Sequence, residues 1–426
     1  MRFLYNLLTY LLLIPFACYW VVRGLGNKTY FERLGQRFGF GFPKIDRCIW
    51  VHAVSVGEVQ AAAPLIRALQ EKYPDRNLLI TTVTPTGAAR VRSLFGDTVQ
   101  HCFIPFEFPN AVRSFYRNVN PQAALIMENE IWPNLYRGCG IRGIPLILVS
   151  ARISPRSVPG YRKLLPLIRE TLSHGIIIAA QSQVDADRFL ALGANPARTC
   201  VMGNIKFDVE ADAAVLHKGK SLRAELFGDR PVWIAASTHE GEEEIVLDVH
   251  CDLLARHPDL VLVLVPRHPE RFGPVRDLTE KRGFSLVART ENRPAGDAAV
   301  FLCDTMGEVP LFYAASDVAF VAGSLVPIGG HNLLEPAVLG APIVAGPYNF
   351  NGQDIADLFV DRGACRVVAG PEELVATVSE LLADKEKADR LGRAGQQVLD
   401  ENRGALERLL VLLEPLLTKR GENPGS

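Results

Sequence analysis

Two acidic segments of the chain each follow a β-rich apolar run and precede a helical stretch. Glu58 lies in the first segment, after the run at 48–54, and Glu128 and Glu130 lie in the second, after the run at 123–127. A carboxylate in such a position can take a proton from an acceptor hydroxyl if its pKa suits the task. Two carboxylates two residues apart can also raise the pKa of one of them. Spacing alone leaves a second interpretation open, because acids at a helix start also complement the helix dipole.

A glycine-rich segment at 323–336 is the strongest single pattern in the chain. It runs from a predicted strand through Gly329 and Gly330 into a predicted helix that begins near Asn332. Free backbone amides at a helix start bind anions, and glycines let a phosphate approach the backbone closely. No Walker lysine follows the glycines, which argues against a nucleoside triphosphatase. Glu335 would repel a phosphate, so we interpret it as an acceptor of hydrogen bonds from sugar hydroxyls.

Basic residues follow two other apolar runs. Arg267 lies between two prolines after the run at 260–265, and its fork-shaped guanidinium suits a phosphate or a carboxylate. The segment 150–163 carries Arg152, Arg156, Arg162 and Lys163, and this charge suits an anionic head group near a membrane. A rigid surface turn and a solvated basic loop are the alternatives that the spacing leaves open.

Three shorter patterns point away from metals and cofactors. Gly138–Gly143 matches the dinucleotide fingerprint, but it follows a helical stretch and precedes a strand, the reverse of the fingerprint order, so we interpret it as a helix stop. The Asp185–Asp187 pair lies inside a predicted helix. Ser237–Glu240 has the pattern of a capping box, and its histidine does not belong to a zinc-binding H-E-x-x-H. We therefore expect no cofactor and no bound metal.

Alternating strands and helices must position these segments. Apolar runs alternate with helical stretches in two series, before residue 210 and after residue 230, which indicates parallel sheets covered on both faces. In such sheets, ligands bind beyond the carboxyl ends of the strands. The sequence predicts two Rossmann-like domains facing each other across a cleft, at 26–209 and 231–403. A linker at 210–230 would join them, and an amphipathic helix and tail would occupy 404–426.

The first 25 residues are predicted to form a membrane anchor. Phe3–Val22 contains no charged residue and is bounded by Arg2 and Arg23. A helix of about 20 residues spans about 30 Å, the thickness of a hydrocarbon core. No small-residue cleavage site follows the run, which argues against a signal peptide, and the downstream positive charge predicts a cytoplasmic remainder. Because this helix is expected to face lipid, removing residues 1–25 should leave a folded protein.

Composition narrows the class of protein. The 426 residues are 48% hydrophobic and 22% charged, which is typical of globular proteins, and the net charge of −1 gives no general attraction for nucleic acid. The eight cysteines lie far apart without a C-x-x-C pair. We therefore expect reduced thiols in a reducing compartment.

Taken together, these segments resemble the 3-deoxy-D-manno-octulosonic acid (Kdo) transferases of lipopolysaccharide assembly. The matching pieces run in order through nearly the whole chain, which is more specific than any single motif. They are His52–Glu58, Thr82–Gly87, Met127–Leu135, Ala151–Lys163, Gly203–Lys206, Ser237–Glu243, Val265–Arg271, Asp304–Glu308 and Gly329–Pro336. Asn129 stands where a threonine is common in the family and Ile205 where a leucine is common, and neither change removes a proposed functional group.

The resemblance implies an α/β GT-B glycosyltransferase with an N-terminal acceptor domain and a C-terminal donor domain. It implies an inner-membrane enzyme, active on the cytoplasmic face, that moves Kdo from CMP-Kdo to a lipid A precursor (lipid IVA) with inversion. Glu58 would be the general base, and Glu128 and Lys206 would stabilise the transition state. The residues expected to contact CMP-Kdo are Pro266, Arg267, Met306, Gly307, Glu308, Asn332, Leu333, Leu334 and Glu335.

Two alternatives to this function remain at the level of sequence. One is another membrane-associated GT-B transferase that uses a different nucleotide sugar, which nucleotide competition would separate. The other is a non-catalytic nucleotide-binding membrane protein, which a test for product formation would separate.

Overall fold

The computed structural model describes residues 1–155, 157–210 and 212–418. The chain divides into two compact units, one of Met1–Asp208 with Arg403–Ser426 and one of Val209–Asn402. Each unit contains a seven-stranded parallel sheet with helices in its connections. The prediction of two parallel-sheet α/β domains is thus confirmed, whereas their arrangement across a cleft stays a prediction.

The strands and helices alternate along the chain as the apolar pattern predicts. The strands are β1 (Ile45–His52), β2 (Asn77–Thr82), β3 (Gln100–Phe103), β4 (Val119–Met127), β5 (Leu146–Ala151), β6 (Ile177–Ala180), β7 (Thr199–Val201), β8 (Val232–Thr238), β9 (Val261–Pro266), β10 (Leu286–Ala288), β11 (Val300–Leu302), β12 (Val318–Val321), β13 (Ile343–Ala345) and β14 (Arg366–Val367). The helices are α1 (Arg2–Leu11), α2 (Leu13–Gly26), α3 (Leu34–Arg37), α4 (Val56–Lys72), α5 (Pro85–Phe95), α6 (Pro109–Asn118), α7 (Pro133–Arg142), α8 (Val158–Lys163), α9 (Leu165–Leu172), α10 (Gln183–Ala191), α11 (Ala213–Leu226), α12 (Glu242–Leu254), α13 (Phe272–Lys281), α14 (Val309–Ala315), α15 (Leu334–Val338), α16 (Gln353–Asp361), α17 (Pro371–Ala383), α18 (Lys385–Asn402) and α19 (Ala405–Thr418).

Both sheets have a doubly wound strand order. The first runs β3-β2-β1-β4-β5-β6-β7 and the second β10-β11-β9-β8-β12-β13-β14. In β1, Trp50 points into one hydrophobic cluster and its neighbours Ile49 and Val51 point into another, because successive side chains of a strand face opposite sides. Burial on both faces explains why the strands are continuous apolar runs. All carboxyl ends of one sheet lie along one edge, which gathers the loops that follow them.

The C-terminal helix returns to the first unit. In α19, Ala405, Leu409, Leu413 and Leu417 recur every four residues and are buried in the same cluster as Ile49. The Asp208 carboxylate accepts hydrogen bonds from the amides of Gly404 and Leu406 at 2.6 and 2.7 Å, which ties the helix start to the end of the first unit. The predicted amphipathic helix is therefore present, and the structure adds which core it completes.

The segment 210–230, predicted as a linker, contains helix α11 of the second unit. Gly219 packs against α14 so closely that an added Cβ would lie 2.5 Å from Cβ of Ala314. Arg223 donates hydrogen bonds to the carbonyl of Ala315 and to the carboxylate of Asp317, at 2.7 and 2.9 Å. The segment looked like a linker because only Gly219 and Leu226 of the helix are buried, so its charged residues dominate the sequence pattern.

The predicted anchor forms two helices rather than one. No single helix among the described residues has the length and apolar composition needed to cross a membrane, although α1 and α2, bent by 46° at their junction, meet that criterion as a pair. Part of the segment packs on the first unit, since Trp20 is buried together with Phe106, Phe108 and Ala111. The expectation that 3–22 faces only lipid is therefore wrong for this face of α2.

The short patterns have mixed outcomes. Gly143 ends α7 with a left-handed φ of 61°, as predicted for a helix stop, whereas Gly138 lies inside that helix, where an added Cβ would lie 2.2 Å from the Tyr116 ring. Asp185 lies within α10 as predicted. The predicted capping box at 237–240 is wrong, because α12 begins after Gly241, which occupies the N-cap position in a left-handed conformation.

Candidate active site

The first turn of α4, which follows β1, and the segments after β4, β5 and β7 bring four charged side chains together at the carboxyl edge of the first sheet. They are Glu58, Glu128, Arg152 and Lys206. The Lys206 Nζ lies 2.6 Å from Glu128 Oε1, and the Arg152 Nε lies 3.1 Å from Glu128 Oε2. The charges of Glu128 and Lys206 also act on Glu58. The structure therefore unites the three predicted catalytic residues and adds Arg152.

Glu58 is held in the first turn of α4. Its amide donates to Oγ of Ser55, the N-cap residue, at 3.5 Å, and its Oε2 accepts a hydrogen bond from the Val54 amide at 2.9 Å. Burial raises the pKa of Glu58 to about 7, and the nearby charges of Glu128 and Glu130 act in the same direction. The residue therefore takes part in capping the helix, and its pKa also suits a general base near neutral pH.

Glu128 is the ionised member of the cluster. Burial alone would raise the pKa of Glu128, but Lys206 and Arg152 together hold it below the ordinary value. Its backbone adopts a left-handed φ of 57°, a costly conformation for a non-glycine residue that persists only where its surroundings fix it. Lys206 and Arg152 bind both carboxylate oxygens and supply part of that constraint.

Glu130 differs from Glu128 although it lies two residues away. Burial raises the pKa of Glu130, a hydrogen bond of 2.7 Å from Trp132 Nε1 opposes this, and the net direction is upward. The Tyr136 hydroxyl also donates to the Glu130 carbonyl at 2.6 Å. The structure thus supports the sequence-based idea that one of the two acids has a raised pKa. That acid is Glu130, because Lys206 and Arg152 pair with Glu128 instead.

Lys206 is positioned by a short 3-10 turn, Ile205–Phe207, that follows β7. The Asn204 side chain accepts a hydrogen bond from the Lys206 amide at 3.0 Å, and the Ile205 amide donates to Ser150 Oγ at 3.2 Å. The second of these bonds connects the loop after β7 to the end of β5. The Lys206 ammonium is consequently fixed against Glu128.

Arg152 was assigned by sequence to a basic patch for an anionic head group, and its contact with Glu128 was missed. The only signal available was its place after a strand at the carboxyl edge. Of the other cations of that patch, Arg162 and Lys163 are exposed on α8, and Arg156 lies outside the described residues. The structure therefore separates the half-buried Arg152, which pairs with Glu128, from the exposed Arg162 and Lys163.

In the second unit, the predicted donor residues follow β9, β11 and β12. Pro266 ends β9, and Arg267 is exposed directly after it with its amide bonded to the Thr238 carbonyl at 3.0 Å. Met306 is 58% exposed and Gly307 has a left-handed φ of 88°. Glu308 pairs with Arg289 at 3.0 Å; burial would raise its pKa, but Thr305 and Arg289 lower it overall.

The segment 332–335 is arranged around one short helical turn. The Asn332 side chain accepts a hydrogen bond from the Leu334 amide at 3.1 Å and donates to the Glu335 carboxylate at 3.3 Å. Leu333 and Leu334, both predicted to contact the donor, are buried, so their side chains pack inside the protein. Helix α15 has five residues, so the predicted anion site at a helix start has a weaker basis than the sequence indicated.

The glycine-rich loop is held by a buried carboxylate that sequence reasoning missed. Glu242, at the start of α12, is fully buried and accepts hydrogen bonds from three loop amides, those of Gly323, Ser324 and Leu325, at 2.6, 3.1 and 3.0 Å. Glu242 thus fixes the loop that leads to Asn332. Its only sequence signal is an acidic residue at a helix start, which is common.

Two histidines form a further contact beside Arg267. Nε2 of His239 lies 3.0 Å from Nε2 of His331, and their rings are stacked. Burial, with smaller contributions from His239 and Arg267, lowers the pKa of His331 to about 4. Burial and the nearby positive charges also lower the pKa of His239, so both rings favour the neutral form at pH 7. Among the described residues, no group of three or more His, Cys, Asp or Glu side chains has an arrangement that could hold a metal ion.

Comparison with known proteins decides the family. The family described as 3-deoxy-D-manno-octulosonic-acid transferase (kdotransferase) matches residues 32–209, and the family described as glycosyl transferases group 1 matches residues 237–398. A 3-deoxy-D-manno-octulosonic acid transferase of Haemophilus influenzae is 42% identical over 98% of this chain and 99% of its own. This chain belongs to the Kdo transferase family. The resemblance inferred from the motifs is confirmed, and so is the prediction of a glycosyltransferase enzyme.

One further relative agrees with this assignment, and one solved structure agrees with the fold. A 3-deoxy-D-manno-octulosonic acid transferase of Bordetella pertussis is 36% identical over 87% of each chain. The UDP-GlcNAc 2-epimerase of Neisseria meningitidis, solved with UDP-GlcNAc bound, has a TM-score of 0.58, 15% identity, and coverage of 86% of this chain and 99% of its own. At that identity the likeness shows the fold alone, which is GT-B-like. The Kdo transferase fold thus matches the sequence-based expectation at the level of two α/β domains.

Proposed function

We propose that this Kdo transferase moves Kdo from CMP-Kdo to a sugar hydroxyl of a lipid A precursor, lipid IVA, with inversion of the anomeric carbon. The observation that carries the proposal is the pair of differently tuned carboxylates at one sheet edge. Burial raises the pKa of Glu58 to about 7, whereas Lys206 and Arg152 hold Glu128 ionised. Carboxylates whose environments push their pKa values apart are suited to different roles in one reaction.

In the proposed reaction, Glu58 and Glu128 have separate roles. The Glu58 carboxylate takes the proton of the acceptor hydroxyl, and the oxygen attacks the anomeric carbon of Kdo from the face opposite the leaving phosphate. The bond from that carbon to the phosphate oxygen breaks, and its electron pair leaves on CMP. Glu128, fixed by Lys206, would stabilise the positive charge that develops on the sugar ring. The charged pair is already in place, so it would need no reorganisation during reaction.

We assign donor binding to the second unit and acceptor binding to the first. The exposed Arg267 guanidinium after β9 would match the phosphate charge of CMP. The segments at 306–308 and 332–335, at the same edge of the second sheet, would supply the remaining contacts. Support for the division comes from the residues that the two families match, 32–209 and 237–398, which agree with the proposed domains at 26–209 and 231–403.

We further propose that the N-terminal helices attach the enzyme to the cytoplasmic face of the inner membrane. Both helices expose large apolar side chains on the face away from the first unit, with Phe3 81% exposed and Leu25 74% exposed. An apolar face of this kind suits the acyl boundary of a bilayer, and Arg23 next to it suits the anionic head groups. Attachment would keep the enzyme beside its lipid substrate.

The decisive test is product formation. We expect the purified full-length enzyme, incubated with CMP-Kdo and lipid IVA, to yield a product heavier by one or more Kdo units in mass spectrometry. UDP-GlcNAc serves as the competing donor class and CMP-N-acetylneuraminate as a control with the same nucleotide. Transfer from UDP-GlcNAc, or no transfer from CMP-Kdo by a folded enzyme, would contradict the proposal.

Arg267→Ala tests the donor assignment. We expect the affinity for CMP to fall about 10- to 100-fold in calorimetry, because a hydrogen bond to a charged group contributes about 1.5–3 kcal/mol. Arg256→Ala, at an exposed position on the same unit, is the matched control and should bind CMP as the wild type does. Equal CMP affinity in the Arg267 variant would move the phosphate site elsewhere.

A further inference from the structure

Helix α1 has two faces with different surroundings. Phe3, Leu4 and Leu11 are among the side chains exposed on one face. Arg2, Tyr5 and Asn6 lie on the other face and hydrogen-bond to residues more than 100 positions later in the chain. A segment that served only to reach the membrane would not need the second set of contacts.

Tyr5 contacts a buried carboxylate that holds the start of α7. The Glu107 Oε2 accepts hydrogen bonds from the backbone N–H of Asn134 at 2.6 Å and from the Tyr5 hydroxyl at 3.0 Å. Its Oε1 accepts one from the backbone N–H of Leu135 at 3.0 Å. Burial raises the pKa of Glu107 to about 7, against these bonds and the charge of Arg2. Tyr5 is therefore one of a small set of groups that satisfy Glu107.

Asn134 connects two more residues of α1 to the same turn. Its Nδ2 donates to Asn6 Oδ1 at 3.0 Å and to the Glu107 carbonyl at 2.6 Å. The Arg2 guanidinium donates to the Pro133 carbonyl at 3.0 Å and to Asn134 Oδ1 at 3.4 Å, and it also pairs with Glu170. Three side chains of α1 thus bind the first turn of α7 directly or through Glu107.

The first turn of α7 directly follows the loop that carries Glu128 and Glu130. Trp132 is the N-cap residue of α7, and its indole donates to the Glu130 carboxylate at 2.7 Å. Tyr136, one turn further, donates to the Glu130 carbonyl. Glu128 lies at the other end of this loop with its left-handed φ, so a shift of α7 would be transmitted to a strained residue.

We propose that α1 is a positioning element of the reaction: Arg2, Tyr5 and Asn6 hold the first turn of α7 and thereby the 128–132 loop. The inference rests on the proposed function, because that function gives Glu128 its role. It changes the expectation for the truncated enzyme. Loss of residues 1–25 would lower turnover even on an acceptor that needs no membrane, and would leave Glu107 and Asn134 without these partners.

The test compares the two faces of α1 in the full-length enzyme with detergent-dispersed lipid IVA at saturating concentration. We expect Arg2→Ala, Tyr5→Phe and Asn6→Ala each to lower kcat about tenfold, since small misplacements of reacting groups are costly, while KM for CMP-Kdo stays within about twofold. Leu11→Ala, on the exposed face, should keep kcat within about twofold. Tyr5→Phe removes a single hydroxyl, so it reports on positioning even if Arg2→Ala does not fold.

A double-mutant cycle separates positioning from general destabilisation. If Tyr5 acts through Glu107, combining Tyr5→Phe with Glu107→Gln should lower kcat by less than the product of the two single effects. Wild-type kcat in the Tyr5 and Asn6 variants would overturn the proposal, as would an equal loss in Leu11→Ala. A wild-type enzyme that transfers no Kdo would instead refute the proposed function, so the two failures are distinguishable.

Discussion

Replacing Glu58 by glutamine is expected to lower kcat about 10²–10⁴-fold while CMP binding and the fold persist. The glutamine side chain has the same size as glutamate and keeps an oxygen that can accept the hydrogen bond from the Val54 backbone N–H. It cannot take a proton from the acceptor hydroxyl. The measurement is turnover of CMP-Kdo with lipid IVA, together with the calorimetric affinity for CMP.

The pH dependence of wild-type kcat/KM tests the same role of Glu58. Because burial raises the pKa of Glu58 to about 7, kcat/KM should rise with pH up to about 7 and level off above it, as the base becomes ionised. The same pKa shift makes the contribution of Glu58 to folding stability fall as pH rises, whereas kcat/KM increases. A carboxyl whose pKa is raised in the folded state favours folding below its ordinary pKa, and this contribution is lost as pH rises through about 7. Glu58→Gln should therefore melt at a higher temperature than the wild type at pH 8, with a smaller difference at pH 5.

Glu71→Gln is the matched control, since Glu71 is exposed near the other end of the same helix. It should leave turnover, its pH profile and the melting temperature unchanged. Near-normal turnover in a folded Glu58→Gln enzyme would remove Glu58 from the role of base. An unchanged pH profile in that variant would assign the titration to another group.

Lys206→Met should lower turnover about 10²–10³-fold, the usual loss when a preorganised charged group of a transition state is removed. It should also lower stability by about 1–3 kcal/mol, because the buried Glu128 carboxylate loses a charged hydrogen-bond partner at 2.6 Å. Arg152 stays bound to the other oxygen and limits this loss. Turnover and thermal unfolding measure the two effects separately.

Two further variants separate the effect of Lys206 on turnover from its effect on stability. In Lys206→Met combined with Glu128→Gln, no uncompensated carboxylate remains, so stability should recover while turnover stays low. Lys44→Met, at an exposed position of the same unit, should change neither quantity. Recovery of turnover in the double variant would show that the reaction needs neither Lys206 nor Glu128.

The sequence by itself determined the architecture and the edge where the chemistry lies. Continuous apolar runs alternating with helices predict parallel sheets because such strands are buried on both faces, and the structure has them. Since the carboxyl ends of parallel strands share one edge, the loops with Glu58, Glu128 and Lys206 had to meet there. The order of the motifs along the chain then identified the family.

Only the tertiary structure decided the partners and the pKa values. The pairing of Glu128 with Lys206, 78 residues later, and with Arg152 depends on the strand order β1-β4-β5-β6-β7, which spacing along the chain does not encode. The helix in the predicted linker and the contacts of the polar face of α1 could not be predicted from the sequence for a similar reason. Charged and amide groups look solvated in a sequence until the residues that bury or bind them are known, and those residues lie more than 80 positions away.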